Sequence, residues 1–227
     1  MSHLPLKARE TRYESAVAAL ALASAVGGSA ILVSLAQFLV SLVGARVPDI
    51  VLAVYVQPIV LVGLYLLLRN RYALGSISLR LTWRDAVVAA LGWLAVLVFG
   101  NLYMQVLARS GVTLPSPQSD LVSFAGSSPF RTALIIVGAA VLAPLSEELF
   151  FRGVIFGLIR KNAGFYLAAV LSSLVFSLFH GLELAFPVFV LAMLLCYLYE
   201  RTGALFLPVL VHVVNNVASI VLAMVNR

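Results

Sequence analysis

Long apolar runs separated by short polar or basic turns divide this chain from near its start to its last residues. The runs cover residues 16–43, 50–68, 85–107, 132 to about 160, 165–180, 185–199 and 204–225. A helix crosses a hydrocarbon layer of about 30 Å with about 20 apolar residues, so most of these runs have the length of a membrane span. Their breaks carry turn chemistry: Pro48, then Asn162-Ala163-Gly164, then Glu200-Arg201-Thr202-Gly203. The pattern predicts an all-α, polytopic transmembrane helix bundle of about seven spans, in one integral membrane domain covering residues 1–227. Residues 1–14 read as a polar leader. The polar segment 109–131, with Pro115, Pro117 and Pro129, reads as a loop covering an opening.

Composition agrees with this pattern. Of 227 residues, 63% are hydrophobic and 11% charged, and the mean hydropathy is +1.08. A soluble domain of this size needs far less apolar material. A net charge of +6 is small for a nucleic-acid binder, and the basic residues lie between the apolar runs. The expected partners are therefore the bilayer and its headgroups, with no nucleic acid. The single Cys196 excludes an intrachain disulfide and a CxxC motif. Lys7, Arg9 and Arg12 precede an apolar run too long for a signal-peptide core, so that run reads as an uncleaved first span. Ten basic residues fall on the side of the N-terminus and four on the other, with Arg152 inside a span. That asymmetry predicts a cytoplasmic N-terminus.

One apolar run breaks its own rule. Between Ser146 and Gly153 stand Glu147, Glu148 and Arg152. A charge at the centre of a membrane helix costs about 2.5–3.5 kcal/mol on insertion scales. Glu148 and Arg152 are four apart and share a helix face, so they can neutralise each other. Glu147 points about 100° away and has no such local partner. Outside the leader the chain has two histidines, His180 and His212, and Asn216 lies one turn after the second. At 1.5 Å per residue, Glu147 and His180 lie roughly 21 and 24 Å from the turn that joins their helices. His212 lies only about 13 Å past its own turn by the same rise, so the last helix must be staggered or tilted to join them.

Each feature has a plain packing explanation: a structural ion pair for Glu148 with Arg152, and interhelical hydrogen bonds for His180 or for His212 with Asn216. Glu183 reads as a solvated residue at a membrane edge. Together, however, two acids, two imidazoles and a carboxamide in an otherwise uncharged interior predict an intramembrane polar cavity suited to hydrolysis. A desolvated carboxylate can act as a general base toward water, and an imidazole can orient that water, share its proton or bind a metal. A second His with an amide donor can hold an oxyanion. Alternatively, Glu147, His180 and His212 are a ligand set for Zn, assembled from three helices since no HExxH motif is present.

Glu147-Glu148-xxx-Arg152, Phe176-xxx-His180 and His212-xxx-Asn216, in this order in successive apolar runs, resemble the CPBP family. That family comprises CAAX prenyl proteases and bacteriocin-processing or Abi-like immunity proteins. The resemblance covers about residues 130–220. It implies an intramembrane endopeptidase acting on a membrane-associated peptide or protein, with a prenylated CAAX-type substrate as one case. By analogy Glu147 activates water with His180 assisting, His212 and Asn216 stabilise the oxyanion, and Glu148 pairs with Arg152. Both metallo and glutamate-dependent mechanisms fit this pattern. The rival readings are a non-catalytic scaffold or immunity protein of the same family, and a proton-coupled transporter.

Overall fold

A computed structural model describes residues 6–45, 47–79, 81–111, 124 and 128–225. The proposed covering loop lies largely outside the described residues, as do the first five residues of the leader. The described part is helical, with no strand. Helix α1 spans Leu6–Leu42, so the rest of the leader continues straight into the first span. Then come α2 (Asp49–Tyr72) and α3 (Trp83–Arg109). The central run follows as α4 (Pro129–Val137), a π-helical stretch Gly138–Leu142, α5 (Ala143–Glu148), a second π-helical stretch Leu149–Phe156, and α6 (Gly157–Leu178). Helices α7 (Ala185–Thr202) and α8 (Phe206–Val225) complete it.

Six helices among the described residues are long and apolar enough to cross a membrane, and one of them, Pro129–Leu178, is 50 residues long. That one does not run straight. Gly164 has φ +74° and ψ 171°, a conformation essentially confined to glycine, and the chain doubles back there. Phe156 meets Phe165 with ring centroids 6.1 Å apart, Phe151 meets Phe176 at 5.0 Å, and Ser172 Oγ donates to the Phe151 carbonyl at 3.3 Å. The hairpin makes two crossing segments of the one long helix, which gives seven crossings. This segment is the centre of the bundle: 56% of its apolar window is buried, against 11–28% for the other spans.

One end of the bundle gathers the connections that the alternating topology places together. Glu14 accepts from Asn162 at 2.6 Å and lies 3.5 Å from Lys161, whose Nζ donates to the Tyr72 carbonyl. Arg160 pairs with Glu200 at 2.7 Å and Arg201 with Asp85 at 2.7 Å. Asp85 also closes a capping box with Thr82 at the start of α3, which satisfies two free helix-end donors at once. Gly203 ends α7 with φ +63°, and the Leu205 N–H then donates to the Ser76 carbonyl at 3.1 Å.

The first π-helical stretch has a local cause. Proline has no N–H and clashes with the carbonyl four residues back in an α-helix. Pro144 sits just after the first π stretch, where the Ala143 N–H reaches back five residues to Gly138. The five-residue partner of Ala139 would be Pro144, which has nothing to donate. Asn216 of α8 supplies the missing hydrogen, with Nδ2 2.9 Å from the Ala139 oxygen. Gly138 and Gly153 let α2 approach this irregular helix closely: a Cβ at Gly138 would stand 2.5 Å from Val54, and one at Gly153 would stand 3.2 Å from Tyr65.

Candidate functional site

Glu147 and Glu148 close α5, and the second π stretch carries Arg152 into the protein interior. Glu148 and Arg152 are both 0% exposed, and Arg152 is the largest fully buried side chain among the described residues. Arg152 Nη1 donates to Glu148 Oε1 at 2.8 Å. Its Nη2 donates to the Ala192 carbonyl of α7 at 3.2 Å, and its guanidinium lies 4.6 Å from the centroid of the Phe176 ring. A guanidinium with a carboxylate, a carbonyl and an aromatic face around it is neutralised without water.

His212 brings α8 into this cluster and is 2% exposed. Its Nδ1 is 2.8 Å from Glu148 Oε1, the oxygen that also takes Arg152. Its Nε2 is 3.7 Å from Glu147 Oε2. A carboxylate oxygen can only accept, so Nδ1 carries the hydrogen and Nε2 is the nitrogen turned toward Glu147. The two consecutive acids thus bracket opposite nitrogens of one ring.

His180 stands in the turn after α6, just past the span in which the sequence pattern placed it. Its Nδ1 is 2.9 Å from the Phe176 carbonyl. A carbonyl also only accepts, so His180 too is left with Nε2 as its free nitrogen. Phe176 lies against both imidazoles, with centroid distances of 4.5 Å to His180 and 5.7 Å to His212. One aromatic of the motif thus touches both histidines. Asn216, expected beside His212, directs Nδ2 to the Ala139 carbonyl, which leaves one amide hydrogen for another acceptor.

Glu183 differs from its expected solvated state. It is half-buried, and its Oε2 is shielded without a hydrogen-bond partner. Sequence reasoning also misses the Glu148–His212 bond and the carbonyls of Ala139, Phe176 and Ala192. Backbone carbonyls leave no trace in residue identity. The one available signal for the missed bond is that two acids share a single arginine.

The stagger required of His212 has two sources. The π-helical turns advance less per residue than α-helical ones, which brings Glu147 nearer the connected end. The Leu205–Ser76 bond holds residues 203–205 in a bend before α8 begins.

Both histidines pin Nδ1 on an oxygen and present Nε2, the arrangement seen in metal-bound histidines. As they stand, however, no three described His, Cys, Asp or Glu side chains form a group that could hold a metal ion. Glu147, His180 and His212 are the right donors for Zn, but they are not gathered into a coordination set.

Comparison with known proteins bears on the same region. The family described as Rce1-like, type II CAAX prenyl endopeptidase, matches residues 129–218. YdiL of Bacillus subtilis (strain 168), whose name marks it as a candidate membrane peptidase, is 31% identical over 85 residues, 37% of this chain and 34% of its own length. The membrane-embedded CAAX protease MroQ of Staphylococcus aureus (strain USA300) is 29% identical over 147 residues, covering 61% of this chain and 58% of its own. The UPF0177 protein YxdF of Lactococcus lactis subsp. lactis (strain IL1403) is 31% identical over 130 residues, 53% of this chain and 70% of its own. The chain thus matches about a third and somewhat over half of the first two relatives' lengths. No solved structure matches it.

Proposed function

The chain belongs to the Rce1-like family, and from that premise we propose that it is an intramembrane endopeptidase that hydrolyses a peptide bond of a membrane-associated substrate. The observation that carries this reading is the 3.7 Å separation of Glu147 Oε2 from His212 Nε2. It is too long for a direct hydrogen bond, and it is the kind of separation that a shared water spans. Glu147 keeps 8% exposure while Glu148 beside it keeps none, so Glu147 is the acid that a small molecule can reach.

In this reading a water between Glu147 and His212 attacks the peptide carbonyl carbon. Glu147 takes the water's proton as the new C–O bond forms, then gives it to the amide nitrogen as the C–N bond breaks. One water is consumed, and a carboxylic acid and an amine are released, which become carboxylate and ammonium once the acid's proton passes to the amine. His212 orients the water through Nε2, and His180 assists. The remaining amide hydrogen of Asn216 is the oxyanion donor in this scheme. A prenylated CAAX-type substrate is the finer form of the proposal, and a cytoplasmic N-terminus belongs to it. The Zn alternative keeps the same three donors. No step here runs through a metal, and metal analysis of purified protein with chelator controls decides it.

The test compares membrane peptides in cells carrying wild type and Glu147→Gln. A cleaved product should fall about 10²–10⁴-fold in the variant, the usual contribution of a general base, with protein yield kept. Unchanged peptides together with a retained cellular phenotype would favour the scaffold. Loss of pH-dependent flux without any peptide product would favour the transporter.

A further inference from the structure

We propose that Glu148 is a positioning residue for this reaction, which fixes the ring of His212 so that Nε2 faces Glu147. The proposal rests on the hydrolase reading above and gives Glu148 a task beyond neutralising Arg152.

An ion pair needs Glu148 only beside the guanidinium. The structure instead directs two donors onto one oxygen, Arg152 Nη1 at 2.8 Å and His212 Nδ1 at 2.8 Å, while Oε2 has no partner. A neutral imidazole can carry its hydrogen on either nitrogen, and its ring can flip. Accepting from Nδ1 selects one tautomer and one ring orientation. Without an acceptor there, the other tautomer would aim an N–H at Glu147, and a flipped ring would aim a carbon.

Arg152 acts one step further out. Its bonds to Glu148 and Ala192 hold the acceptor in place from α7, the helix that packs behind the hairpin. The chain is therefore Ala192 to Arg152 to Glu148 to His212, ending at the gap that faces Glu147. Partners of this outer kind typically change activity about 10–100-fold when removed.

The test uses two double variants of the full chain, so that neither leaves a lone buried charge. Arg152→Leu with Glu148→Gln keeps an oxygen that can accept from Nδ1. Arg152→Leu with Glu148→Leu removes it. Three readouts are taken: thermal stability, cleavage, and ring ¹⁵N signals of histidine-labelled protein. The chain has only three histidines, and a His212→Asn sample assigns the signal.

The Gln form should retain the Nδ1-protonated signal of His212 and cleave about 10–100-fold faster than an equally stable Leu form. The Leu form should show a shifted or mixed His212 signal. Equal cleavage by the two forms, or identical His212 signals in both, would overturn the proposal. Should wild type give no product at all, the hydrolase reading fails, and the ring signals still decide whether Glu148 sets the histidine.

Discussion

Glu148 Oε1 accepts from Arg152 Nη1 and from His212 Nδ1 at the same distance, 2.8 Å. A single buried oxygen therefore ties the middle of the irregular central helix to the last helix. Glu147, the next residue back, meets the opposite side of the same imidazole. The site is held as a unit.

Replacing Arg152 by Ala should strand Glu148 in a position with no solvent access. Breaking a buried pair in this way costs about 3–5 kcal/mol. The expected result is a sharp fall in yield and in the thermal midpoint of purified protein, before any effect on rate is measured. Normal expression and melting would show that the pair is not structural.

Asn216→Ala should destabilise the protein by about 1 kcal/mol, the net worth of a hydrogen bond to a half-buried acceptor. The reason lies one helix away: Pro144 cannot serve the Ala139 carbonyl, and the Asn216 amide is the group that does. Thermal melting checks the stability loss, and a cleavage assay on the folded fraction checks the separate oxyanion role. A variant that melts normally would remove the clamp.

Topology gives a third prediction. Residues near 14, 76, 162 and 202 share one end of the bundle. Single cysteines at Ser76 and Thr202 should react with an impermeant maleimide from the same side, and one at Leu182 from the other. Cys196 is 0% exposed and should stay unlabelled in folded protein. With a cytoplasmic N-terminus, the first two sites label only after the membrane is opened. Labelling of Ser76 and Thr202 from opposite sides would break the arrangement.

Much of this was readable in the order of residues. Spans are long and apolar because lipid offers no hydrogen bonds to the backbone, and that requirement is written directly in composition. The turn at Asn162-Ala163-Gly164 was visible because only glycine takes the backbone angles found there. The Glu148–Arg152 pair followed from spacing alone.

The rest depended on contacts between distant segments. His180 lies past a helix end because its ring closes onto the Phe176 carbonyl. Asn216 has its amide on Ala139 because a proline elsewhere leaves that carbonyl free.

The sequence by itself determined a bundle of about seven spans, the helix that carries the acids, and which residue types enter the interior, since burial and local spacing set all three. Only the tertiary structure decided which nitrogen of His212 faces which acid. The meeting of these helices rests on the π-helical winding of residues 138–142 and 149–156 and on the bend held by Leu205 and Ser76. Both change the depth and rotation of whole helices, and neither is a property of any residue taken with its neighbours in the chain.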